Sequence, residues 1–167
     1  LSKLISYLVS PISLIWILLS LTKELISNPY KTKLKVICIG NLTIGGTGKT
    51  PFVISTFNWM KELGYNPVFL TRGYSGKENG NTEVKTFHTH INVGDEAILL
   101  SKVGTTIVAK NRSVGAKFIE KHKNNFDVII MDDGLQNYQL YKDLNILLVD
   151  KESFFGNEYC LPAGPLR

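Results

Sequence analysis

Cysteine and histidine are scarce in this chain, which holds two of the first and three of the second in 167 residues. Cys38 and Cys160 have neither C-x-x-C spacing nor partner histidines, so neither a disulfide framework nor a zinc site is indicated, and a reducing, cytosolic setting fits. His88 and His90 form an H-x-H pair with no further cysteine or histidine close by, which reads as part of a solvated loop. Internal repeats and low-complexity tracts are missing, which excludes repeat architectures and disordered tails. The guanine-reading pattern N-K-x-D is also absent, which counts against a GTPase. Charge is missing altogether from Leu4 to Leu21.

What is present suits a single folded domain: 44% of residues are hydrophobic and 20% charged. The formal net charge of +5 attracts something anionic, whether nucleotide, nucleic acid or acidic membrane, and charge alone does not choose among these. The uncharged Leu4 to Leu21 stretch narrows the choice, because it is dense in Leu, Ile, Val and Trp16 and is membrane-seeking. As a helix it would reach about 27 Å against a hydrocarbon core of about 30 Å, so spanning is marginal, and Pro11 weakens a straight helix. Ser6, Ser10, Ser13 and Ser20 gather on one side and leave an apolar face, which also suits lying in the membrane interface. Lys3 precedes the run as in a signal peptide, but no A-x-A site follows. Lys23, Lys31, Lys33 and Lys35 place the remainder on the cytoplasmic side. The plainer alternative is a buried core helix. The expected division is a membrane-associated segment over 1–30 and a catalytic domain over 31–167.

Beyond the basic stretch, apolar runs alternate with helical spacing. Lys35 to Ile39, Pro67 to Leu70, Thr105 to Ala109, Phe126 to Met131 and Leu144 to Val149 read as buried strands. Lys49 to Leu63, Asp95 to Val103 and Val114 to His122 read as helices, with Gly64 as a helix stop and Ser75 to Asn92 as an exposed loop. Such alternation predicts an α/β fold: a parallel sheet with helices on both faces and ligands at the carboxyl ends of its strands.

Between the first strand and the first long helix stands Thr43-Ile44-Gly45-Gly46-Thr47-Gly48-Lys49-Thr50, where a phosphate-binding loop belongs. The glycines let backbone N–H groups turn towards phosphate oxygens, Lys49 brings a point charge to the β and γ phosphates, and Thr50 can ligate Mg²⁺. Thr43 stands where the usual pattern has glycine. A ligand-free Gly-rich turn is the bland alternative. The run Phe126 to Met131 then ends in Asp132 and Asp133, which is how a metal-holding carboxylate is delivered beside such a loop, with Asp132 the favoured one. Strand ends also carry Asp simply as turn formers.

A kinase further needs a group to take the proton of the attacking hydroxyl. Asp95 is a candidate, with a helix N-cap as its ordinary role. Arg112 and Arg72 are candidates for phosphate oxygens, against the alternative of surface arginines.

Taken together, the residues resemble one family, the tetraacyldisaccharide 4′-kinases, which are the lipid A 4′-kinases of Gram-negative bacteria. The carriers are Ile39 to Pro51, Thr71-Arg72-Gly73-Tyr74, Gly94-Asp95-Glu96, Asp132-Asp133-Gly134-Leu135-Gln136, Phe155-Gly156-Asn157 and Leu161 to Arg167. In that family Thr43 at the loop's first position is ordinary. Ala97, Ser75 and Asn137 depart from its usual proline, glycine and histidine, and none touches a reacting group. The resemblance covers the N-terminal half of the family's usual length. It implies transfer of the γ-phosphate of ATP, with Mg²⁺, to the 4′-hydroxyl of a lipid-borne glucosamine disaccharide at the cytoplasmic face of the bacterial inner membrane, with no nucleic acid among the partners. It also implies that Asp95 acts on the hydroxyl proton, Asp132 on the metal and Arg112 on the phosphate side. A non-catalytic membrane-associated nucleotide-binding protein, or another P-loop small-molecule kinase, is the rival expectation.

Overall fold

The computed structural model describes residues 3–43, 48–77, 80–122, 125–152 and 154–166. The phosphate-loop residues Ile44, Gly45, Gly46 and Thr47 lie outside the described residues. A long helix α1 (Lys3–Ile26) leads into β1 (Lys35–Asn41), α2 (Lys49–Glu62), β2 (Pro67–Thr71), β3 (Thr82–Glu83), α3 (His90–Val93), α4 (Asp95–Ser101), β4 (Thr106–Val108), α5 (Arg112–His122), β5 (Val128–Asp132) and β6 (Leu144–Leu148).

The strands form one sheet in the order β3-β4-β2-β5-β1-β6. All pairings are parallel except β3 with β4. Central strands β2 and β5 are buried throughout, as continuous apolar runs require when both faces are covered. Ala116 and Ile119 of α5 pack against Val36, Leu70, Ile129 and Met131 on one face. Val53 and Phe57 of α2, with Leu100 of α4, pack against Ile39, Phe69 and Ile130 on the other. Each fully buried Ile, Leu or Phe contributes about 1.5–3 kcal/mol. The two ion pairs among the described residues, Lys35–Asp143 and Lys85–Glu83, each have a largely exposed lysine and are worth about 1 kcal/mol at most. Apolar burial therefore holds the sheet together.

The structure corrects the sequence expectation in three places. The loop expected over Ser75 to Asn92 contributes the short antiparallel β3, and α3 begins within it. Strand β6, expected to be buried, is a sheet edge paired with β1 alone among the described strands, and Leu144 and Leu147 are about half exposed. Helix α1 continues to Ile26, so its 24 residues reach about 36 Å rather than stopping short of a bilayer's width. Pro11 does not break it. The proline lacks the N–H that would bond the Tyr7 carbonyl, and the Ser10 hydroxyl donates to that carbonyl instead at 2.9 Å.

Two of the α1 serines dock the helix. Ser13 Oγ donates to the Cys160 carbonyl at 2.8 Å and accepts from the Ala163 N–H at 3.3 Å, while Asn157 Nδ2 donates to Ser6 Oγ at 3.1 Å. Leu166, just beyond, bridges antiparallel to Thr43. The C-terminal stretch thus links the apolar helix to the start of the phosphate loop.

Candidate active site

Five parallel strands end at one edge of the sheet, and β1 and β5 are neighbours there, with Ile39 in register with Asp132. Asn41 closes β1 and Asp132 closes β5. Gly48, with φ 68°, stands at the N-cap of α2, where the left-handed conformation favours glycine. Lys49 and Thr50 follow in its first turn, both half-buried. Lys49 Nζ lies 3.0 Å from Asn41 Oδ1. The chain therefore brings the loop lysine and the strand-end carboxylate to the same edge, as expected from their positions in sequence.

Asp132 is 1% exposed, and neither carboxylate oxygen has a hydrogen-bond partner among the described residues. Burial is the main cause that pushes its pKa up to about 7; Glu96 and Asp133 push the same way, and Lys49 and Arg112 oppose them. A buried carboxylate near two other acids, whose oxygens neither Lys49 nor Arg112 hydrogen-bonds, keeps charge that is only partly compensated, and a divalent cation fits that need. No group of three or more His, Cys, Asp or Glu suited to a metal occurs among the described residues. The donor set instead suits Mg²⁺ held by one or two protein oxygens and completed by phosphate and water.

Asp133 is exposed in a left-handed turn with φ 48°, its N–H bonded to the Ile39 carbonyl at 3.0 Å. The following turn is pinned from behind: Lys142 Nζ donates to the carbonyls of Gly134 at 3.2 Å, Leu135 at 2.9 Å and Asn137 at 2.9 Å.

Arg112 is buried, not a surface arginine. Its Nη1 and Nη2 donate at 3.0 Å to the carbonyls of Ala109 and Asp132, and Nε has no partner among the described residues. Burial lowers its pKa to about 10, with Asp132 opposing, so it stays charged at neutral pH. Arg72 is exposed at the end of β2. Asp95 is exposed at the start of α4, bordering a shallow cavity shared with His88, His90 and Leu99. Glu96, its neighbour, is the acid of α4 among the main influences on Asp132.

Two residues stood within the quoted motifs without being given a role. Asn41 is fully buried at the end of an apolar strand, and a polar residue that disfavours strands, standing directly before a Gly-rich loop, was the signal. Glu96 carried no separable signal, because Asp95 beside it is equally acidic and only the helix phase tells them apart.

A mostly parallel sheet with a lysine-bearing helix start after its first strand, and an acid closing the adjacent strand, defines an α/β nucleotide-binding domain of the P-loop class. Within that class the chain belongs to the tetraacyldisaccharide-1-P 4′-kinase family, which it matches over residues 5–167. It is 43% identical over 165 residues to a tetraacyldisaccharide 4′-kinase of Rickettsia typhi, covering 99% of this chain and 51% of that protein. The corresponding protein of Rickettsia canadensis is 41% identical, with 99% and 50% covered. A crystal structure of LpxK from Aquifex aeolicus in complex with ATP superposes with a TM-score of 0.78 at 31% identity, covering 97% of this chain and 51% of the other. The chain thus spans about half the length of the curated relatives it matches.

Proposed function

We propose that this chain forms the nucleotide-binding half of a lipid kinase that transfers the γ-phosphate of ATP to the 4′-hydroxyl of a tetraacylated glucosamine disaccharide 1-phosphate. The observation that carries the proposal is Asp132, buried with two idle carboxylate oxygens beside the helix that starts at Lys49. Family membership and the ATP-bound neighbour support the nucleotide, and the relatives' name supports the acceptor.

In this reading Thr43 to Thr50 wrap the triphosphate, with Lys49 against the β and γ phosphates and the N-terminus of α2 aimed at the same oxygens. Thr50, Asp132 and Asp133 would hold Mg²⁺, which would supply positive charge to the phosphate oxygens. The acceptor hydroxyl oxygen bonds to Pγ as the bond from Pγ to the β-phosphate oxygen breaks, and Asp95 takes the hydroxyl proton. Arg112 adds positive charge from behind Asp132, and Arg72 bonds phosphate oxygens directly.

Helix α1 brings the site to the cytoplasmic face of the inner membrane, where lipid acceptor and ATP meet; residues 1–30 serve as the membrane-associated segment and 31–167 as the catalytic domain. The exposed apolar side chains of α1 support this, including Leu14, Ile15, Leu18 and Leu19.

The test is transfer of ³²P from γ-labelled ATP to a detergent-dispersed tetraacylated disaccharide 1-phosphate, by the chain alone and with the C-terminal half of the Rickettsia typhi relative supplied. Label on the lipid that disappears with Lys49→Ala supports the proposal. Absence of ATP binding by the chain refutes it.

A further inference from the structure

Asn41 is the most completely buried polar residue beside the phosphate loop, at 0% exposure. A buried amide is tolerated only when its donors and acceptor are used. Here Nδ2 donates to the Thr43 carbonyl at 2.8 Å, which fixes the amide orientation because a carbonyl cannot donate. Oδ1 is thereby turned towards Lys49 and accepts from Nζ at 3.0 Å. The Asn41 carbonyl also receives Gln136 Nε2 at 3.5 Å, from the turn that follows Asp132. One side chain therefore fixes the start of the loop and the position of its lysine.

The acceptor's neutrality matters. Lys49 is close enough to Asp132 for each charge to act on the other. An ammonium free to swing would pair with that carboxylate and occupy the place a cation needs. A carboxylate at position 41 would hold the lysine so firmly that phosphate would have to compete for it. A neutral amide oxygen keeps the ammonium in place and gives it up readily to a charged phosphate oxygen.

We propose that Asn41 is a positioning residue that holds the Lys49 ammonium at the loop mouth, away from Asp132, ready to exchange an amide oxygen for a phosphate of the incoming nucleotide. The proposal deepens the ATP-binding reading and rests on it, yet its first test needs no nucleotide.

The first arm is competitive acetylation of the nucleotide-free chain, reading Lys49 by mass spectrometry against Lys142 and the surface lysines. Asn41→Ala is expected to change Lys49 reactivity severalfold and leave Lys102 and Lys110 unchanged; unchanged Lys49 reactivity would overturn the proposal. The second arm measures the affinity for MgATP of Asn41→Ala in wild-type and Lys49→Met backgrounds. An ammonium released from Asn41 pairs with Asp132, and nucleotide must undo that pairing, which predicts about tenfold weaker binding in the first background and little change in the second. Equal weakening in both would mean that Asn41 only shapes the loop, which overturns the positioning role. Wild-type chain that fails to bind MgATP, with the acetylation result as expected, would sink the nucleotide reading and leave Asn41 as the holder of Lys49.

Discussion

Arg112 Nη2 lies 3.0 Å from the main-chain carbonyl of Asp132, and Nη1 lies 3.0 Å from that of Ala109, so one buried guanidinium ties the end of β5 to the segment that leaves β4. The carbonyls at the ends of β4 and β5, which flank β2 in the sheet, share a cation that sits behind Asp132 without hydrogen-bonding its carboxylate. Its contribution is rigidity and field together.

Arg112→Leu removes the charge and strands two buried carbonyls, each of which costs about 1–3 kcal/mol when left unpaired. Urea unfolding is expected to show a loss of about 3 kcal/mol for Arg112→Leu. Arg112→Lys should lose less, since an ammonium keeps the charge but cannot span both carbonyls in one plane. A loss below about 1 kcal/mol for Arg112→Leu would show that the guanidinium is not structural.

Asp132 makes the fold sensitive to pH in a direction that can be worked out. Its pKa is raised from 3.8 to about 7, so the folded chain holds a proton there that the unfolded chain releases. The associated stability is fully present below about pH 4 and is lost as pH rises through about 7. Lys49, Arg112, Glu96 and Asp133 all act on the same carboxylate, so the comparison must isolate it. Asp132→Asn is expected to gain stability relative to wild type at pH 8, by several kcal/mol at most, and to show no such gain at pH 4. Mg²⁺ with nucleotide should raise the wild-type melting temperature and not that of Asp132→Asn. Parallel pH profiles for the two proteins would contradict this account of the buried acid.

Gly94 governs where the acids of α4 sit. It has φ 89° and ψ 154°, a region essentially reserved for glycine, and an added Cβ would meet the Tyr74 carbonyl at 2.4 Å. Because that neighbour is backbone, the clash has no easy relief. Gly94→Ala is therefore expected to destabilise the chain by about 2–4 kcal/mol and to displace Asp95 and Glu96. Thermal unfolding of Gly94→Ala alongside Gly80→Ala, whose added Cβ meets nothing within 4 Å, checks it: comparable stability of the two variants would be the contrary result.

The parts of this architecture that were legible in the sequence are those set by local chemistry. A β-branched run, a Gly-rich turn and a lysine-led helix identify the β1–α2 unit, and the apolar run closed by Asp132 identifies β5, because neither depends on distant neighbours. Strand β3 has only two residues and is held by Val108 and Ile107 of β4, which no local pattern reveals. The exposure of β6 depends on its place at the sheet edge, and its apolar residues look like those of a buried strand. Arg112 was a candidate for phosphate oxygens with a surface arginine as the alternative, and its burial was not legible because the carbonyls it bonds come from sequence positions three and 20 residues away. The serine spacing of α1 did foretell a polar stripe, and its partners on residues 157–163 could only be found in three dimensions.

That stripe leads to a prediction about how α1 meets a bilayer. Ser6 and Ser13 fasten the first half of the helix to the folded body, so its exposed apolar side chains face away from that body. A helix held alongside its own domain is oriented to lie in the interface, with its apolar face about 5–10 Å deep, rather than to cross the bilayer end-on. Trp16 distinguishes the two arrangements because it lies near the middle of Lys3–Ile26, where a spanning helix would carry it to the bilayer centre. In a Trp59→Phe background, which leaves Trp16 as the lone indole, vesicles of mixed zwitterionic and anionic lipid should shift its emission to the blue. Lipids brominated near the headgroup should quench it more strongly than those brominated near the chain ends. Stronger quenching from the chain ends would place Trp16 at the midplane and require Ser6 and Ser13 to leave Asn157 and Cys160, which overturns the flat arrangement.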